Sequence, residues 1–175
     1  MPRYMMELLS RIYMCRGYCV SVSVPIEIKK RSGSTTIKFL DVLAIKGNEL
    51  VLIEARSFRG VKRVRDAVKR VTKFFVIAEN TIKNRINAGE LPKVDTIKKV
   101  LYVEDEDYEN VSQYSKILES YGITLEKISN IYSELIECAF REEELRKERG
   151  EGDTLLAIIA RIARYLGYGH TKSAK

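Results

Sequence analysis

The 175-residue chain contains no tryptophan, one glutamine, one histidine and three prolines. The lone histidine, His170, lies in a polar tail, which sets aside histidine-ligated zinc sites and Ser-His-Asp catalysis. Cysteine is scarce as well. Cys15, Cys19 and Cys138 form an odd set without metal-finger spacing, too few for a disulfide-rich scaffold. Long apolar runs are missing: none approaches the ~20 residues that a membrane span needs. The opening stretch MPRYMMELLSRIYMCRG is amphipathic but lacks the basic start, apolar middle and small-residue cleavage site of a secretory signal. These absences predict a cytoplasmic protein with no membrane partner.

What remains for chemistry is carboxylates, lysines, arginines, hydroxyls or a hard metal ion. Lysine and arginine number 31 against 24 aspartates and glutamates, a formal net charge of +7. That balance favours a polyanionic partner. Charged residues make up 31% of the chain, a balance met in heat-adapted proteins. Hydrophobic residues reach 45%, enough for one domain with a real core.

Hydrophobic periodicity divides the chain into alternating elements. Residues 3–16 read as a helix, with Met5, Leu8, Leu9, Ile12 and Tyr13 on one side and Gly17 closing it. YCVSVSVPIEI alternates like a strand, and KKRSGST is a basic loop. TIKFLDVLAI and ELVLIEA are nearly all apolar, as strands covered on both faces are. From Gly60 the period changes. Val61, Val64, Val68, Val71, Phe75, Ala78, Ile82 and Ile86 predict one long helix running to NAGELP, with FFVIA inside it. KKVLYVED is a fourth strand, residues 106–122 a helix and ITLEKI a fifth strand. Residues 130–149 predict a charged helix, and Asp153 can cap a last apolar one.

Two carboxylates stand inside the apolar strands. Gly47-Asn48 is a good two-residue hairpin turn, because both residues tolerate positive φ. Such a turn sets Lys46 against Glu49 and Ile45 against Leu50. Continuing outward, Asp41 faces Glu54, and Arg56 follows on the same face. Directly opposed residues have Cβ atoms about 5 Å apart. Two anions at that distance repel by roughly 3 kcal/mol at an effective dielectric near 20, before desolvation is counted. Something positive should occupy the gap. One candidate is a divalent metal with oxygen ligands. The plain alternatives are Arg56 or a nearby lysine in an ordinary structural ion pair with one carboxylate, or strand ends that are simply wet.

A leading helix with Glu7, Gly17-Tyr18 opening a strand, Asp41, a short hairpin and Glu54-Ala55-Arg56 together resemble the PD-(D/E)XK nuclease superfamily. Archaeal Holliday junction resolvases look nearest. The resemblance implies an α/β fold with a restriction-endonuclease-like core, α-β-β-β-α-β, a mixed central sheet flanked by helices, and C-terminal helices beyond it. Residues 1–128 would be the nuclease-like core, 129–167 a helical extension and 168–175 a flexible tail. It further implies Mg²⁺ or Mn²⁺ as cofactor, bound by Asp41, Glu54, the Ala55 carbonyl and Glu7, with Arg56 in the place of the family's lysine. Arginine stays protonated and cannot act as a base, though it can hold a water or stabilise developing charge. Lys46, Lys62 or Arg59 could supply a cation from elsewhere. The family's loop serine would correspond to Ser32 or Ser34.

The helix after the hairpin carries Arg59, Lys62, Arg63, Arg65, Lys69, Arg70 and Lys73 against one acid, Asp66. Together with Lys29, Lys30, Arg31 and Ser32 of the loop it reads as a track for a duplex backbone, DNA before RNA. The plain alternative is a solvated face, or salt bridges to the acidic helix. Three functions follow: a Mg²⁺-dependent nuclease cutting duplex or branched DNA, with a homodimer as its candidate assembly; a catalytically degenerate nucleic-acid-binding or assembly subunit on the same fold; or an interaction subunit whose partner docks on the charged C-terminal helices.

Overall fold

The computed structural model describes residues 3–29, 33–149 and 154–168. Lys30, Arg31, Ser32 and Asp153, and residues 169–175 of the expected tail, lie outside the described residues. The chain divides into two compact units, Met1–Ile128 and Ser129–Lys175.

The first unit is α/β. Helix α1 (Arg3–Cys15) leads into strands β1 (Cys19–Lys29), β2 (Thr35–Lys46) and β3 (Glu49–Arg56). Helix α2 (Val64–Asn87), strand β4 (Thr96–Val103), helices α3 (Asp105–Ser112) and α4 (Ser115–Glu119), and strand β5 (Ile123–Lys127) follow. The strands form one mixed sheet in the order β1-β2-β3-β4-β5. The first three are antiparallel; β4 runs parallel to β3, and β5 parallel to β4.

The centre of the sheet is covered on both faces, while most of β1 and the first half of β2 are exposed. Neighbouring residues on a strand point to opposite sides. Leu101 and Val103 belong to the core that also holds Val68, Phe75, Ala78 and Ile82 of α2. Tyr102, between them, instead meets Tyr13 of α1, their hydroxyls 3.5 Å apart. Helices α1 and α2 therefore pack on opposite faces. This explains why β2 and β3 read as unbroken apolar runs.

The β2–β3 turn follows the expected register, from Lys46–Glu49 out to Val42–Ile53. Only Gly47 takes a positive φ (54°), so the turn is of the type with glycine first, where both positions were expected to use that region. Asn48 instead anchors the next parallel strand. Its carbonyl accepts the Asp95 and Thr96 N–H groups at 2.8 and 3.1 Å.

Helix α2 begins at Val64, four residues later than the periodicity predicts from Gly60. The Ser57–Arg63 stretch is pinned from outside: the buried Asp107 carboxylate accepts the Phe58 N–H at 2.6 Å. The helix expected over 106–122 is broken into α3 and α4. Ser112 returns its hydroxyl to the Glu109 carbonyl at 3.0 Å, an alternative that competes with helix continuation.

The second unit is a helical hairpin of α5 (Tyr132–Arg149) and α6 (Thr154–Tyr165), entered by a 3-10 turn over Ile128–Ile131. No helix among the described residues is long and apolar enough to cross a membrane.

Candidate functional site

Strand β2 outruns β3, and Asp41 sits where they part. Leu40 and Leu43 are an odd number of residues apart, yet both join the core beneath α2. A flat strand would send them to opposite faces, so β2 twists over at Asp41. On β1 the bonded pairs Val22–Val42 and Val24–Leu40 leave Ser23 opposite Asp41. Ser23 has φ 53°, the one non-glycine residue with positive φ among those described. Backbone strain of this kind costs on the order of 1–3 kcal/mol and gathers near functional sites.

Beyond Val42–Ile53 the side chains take over the ladder. The Asp41 N–H donates to Glu54 Oε1 at 3.2 Å, and the Ala55 N–H donates to Asp41 Oδ2 at 2.9 Å. The two carboxylates thus face each other and each satisfies the other strand's backbone. Glu54 is 0% exposed, and Arg56 donates from Nη2 to its second oxygen. The Arg56 side chain is 39% exposed. Its Nε is buried and has no acceptor among the described residues.

Charge is costly here. Burial, and then the neighbouring Asp41 charge, push the Glu54 carboxyl up to about 8, with Arg56 pulling the other way. Burial also raises Asp41, offset by the Ala55 N–H and by Arg56. Desolvation leads in both cases, so the pair resists being doubly ionised.

Whether the site suits a divalent cation depends on what each oxygen already does. Both Glu54 oxygens are engaged, one by backbone and one by Arg56. Among the described residues no three His, Cys, Asp or Glu side chains are grouped to hold a metal ion, so Asp41 and Glu54 stand as a pair without Glu7. Glu7 is on the exposed side of α1. As arranged, the residues do not fit a Mg²⁺ or Mn²⁺ centre; the cation that the pair requires is Arg56.

Arg59, Lys62, Arg63, Arg65, Lys69, Arg70 and Lys73 are all exposed, and none of their side chains bonds to another described residue. Glu79, farther along α2, is by contrast paired with Lys83 and Lys99 at 2.6 Å. Lys29 ends β1, and its neighbours Lys30, Arg31 and Ser32 fall outside the described residues.

Sequence reasoning missed Asp107 and Ser23. Asp107 holds the Phe58 N–H and lies 3.3 Å from the Ser57 hydroxyl, fixing the link from Arg56 to α2. In sequence it is one of several acids in a helix's first turn and carries no separate signal. Ser23 looks like any polar residue of an alternating strand.

No known protein family matches the chain, and no curated protein matches it in sequence.

Proposed function

We propose that the chain is a cytoplasmic DNA-binding protein on a restriction-endonuclease-like core, which holds the duplex backbone along α2 and receives a phosphate at Arg56. The observation that carries this reading is the stretch 59–73: seven exposed cations whose side chains have no bonding partner among the described residues, Arg59, Lys62 and Arg63 on the link before α2 and Arg65, Lys69, Arg70 and Lys73 on its first turns. Cations that serve solubility or internal pairing have acids nearby; here the only acid in the stretch is Asp66. Unpaired lysines and arginines along one helix suit an evenly spaced row of phosphates, and such contacts position DNA without reading its sequence. The element order α1-β1-β2-β3-α2-β4, with β4 parallel to β3, supports the restriction-endonuclease-like core.

Arg56 contributes locally. One edge of its guanidinium meets Glu54, and the side chain is 39% exposed, open to an incoming anion. Planar, permanently charged arginine suits both tasks.

Mg²⁺- or Mn²⁺-dependent phosphodiester hydrolysis is the second reading, favoured by the face-to-face Asp41 and Glu54. It needs Arg56 to release Glu54, with Glu7 and the Ala55 carbonyl recruited as further ligands.

Labelled duplex, single-stranded and four-way-junction DNA, incubated with the protein with and without Mg²⁺ or Mn²⁺, separate the two. Salt-sensitive binding without cutting is the expected result. Cutting that disappears in Asp41→Ala establishes hydrolysis. Absence of binding at low salt refutes both.

A further inference from the structure

Helix α6 is packed inside out. Its alanines Ala157, Ala160 and Ala163 are buried together with Leu156, while Ile158, Ile162 and Tyr165 face solvent. Ile158, Ile162, Tyr165 and Leu166 recur at steps of four, three and one, a single stripe along the helix. Ile162 is 53% exposed and Tyr165 91%. The stripe is held to its end: Gly167, at φ 84°, turns the chain so that the Tyr168 N–H reaches the Ala163 carbonyl at 2.9 Å. Tyr168 is exposed too.

Burying small residues and exposing large ones reverses the usual economy of a soluble helix. A stripe of this kind marks an interaction surface. Charge indicates the partner. The stripe is bordered by the exposed Arg161 and by Arg164, while α5 presents the exposed acids Glu137 and Glu144. Basic α6 and acidic α5 already pair within one chain, where Arg164 meets Glu143 at 2.7 Å. A second α5–α6 hairpin offers the same apolar stripe and the same complementary charges. Two helical hairpins joined by such stripes make a four-helix bundle.

We propose that the exposed α6 stripe is the surface on which a second copy of this chain docks, pairing hairpin with hairpin about a two-fold axis. Such an interface is self-complementary, so one substitution acts twice. The proposal does not depend on DNA binding.

Sedimentation equilibrium of the full chain tests it. The expected mass at micromolar concentration is twice 20.1 kDa. Ile162→Glu should give monomer with unchanged helical circular dichroism, because the residue is exposed. The milder Ile162→Ala should weaken the dimer by ~10-fold, as for a central contact of an interface. A monomeric wild type overturns the proposal, and so does an Ile162→Glu variant that remains dimeric.

Discussion

Glu54 gives the residue-scale account a measurable signature. Its folded carboxyl is raised to about 8 from an ordinary 4.5, so the folded state holds a proton that the unfolded chain releases. The resulting stability is complete below pH 4.5 and is lost as pH rises through about 8. Glu54→Gln removes that dependence. Its melting temperature should equal or trail wild type at pH 5 and exceed it at pH 9, a gain on the order of a few kcal/mol. Arg56→Met should act in the opposite sense. It should cost ~1–3 kcal/mol at pH 9, where Glu54 is charged and left alone, and much less at pH 5, where it is protonated. Parallel melting curves across that range would show that the pair is not coupled in this way.

At the scale of elements, the hairpin was legible and its surroundings were not. A two-residue turn fixes register as far as Val42–Ile53, and beyond it the Asp41 and Glu54 carboxylates bond each other's strands. The long valine stripe likewise placed FFVIA in a helix and not a strand. What sequence could not supply was the contact of Arg56 with Glu54. That contact depends on how β2 twists at Asp41 and on which oxygens the backbone claims. Nor could periodicity locate the start of α2, because the distant Asp107 holds the intervening link. Asp107→Ala should therefore cost ~1–3 kcal/mol by leaving the buried Phe58 N–H unpaired. Chemical denaturation measures this, and Asp107→Asn should recover part of the loss. Gly47→Val should cost ~1–2 kcal/mol, because a branched residue at φ 54° is strained. A loss below a few tenths would argue against the observed turn.

At the scale of the whole molecule, a net charge of +7 gains its meaning from its distribution. Seven of the cations crowd into residues 59–73, next in sequence to Arg56, which meets the buried Glu54 carboxylate. Ion pairs elsewhere join Glu49 to Lys98 and Glu79 to Lys83 and Lys99. Glu79 and Lys83 pair farther along α2, whereas none of the seven cationic side chains over 59–73 has a bonding partner among the described residues. Arg65, Lys69 and Lys73 lie on one flank of the helix at steps of four. The most direct measurement is the affinity for a random-sequence DNA duplex as a function of salt. Wild type should bind, with log K falling linearly against log salt. Arg65→Gln, Lys69→Gln and Lys73→Gln together should make that slope shallower by roughly 2–3, about one unit per lost phosphate contact. An unchanged slope, or no binding by wild type even at low salt, would contradict the assignment of α2 as a DNA-backbone track.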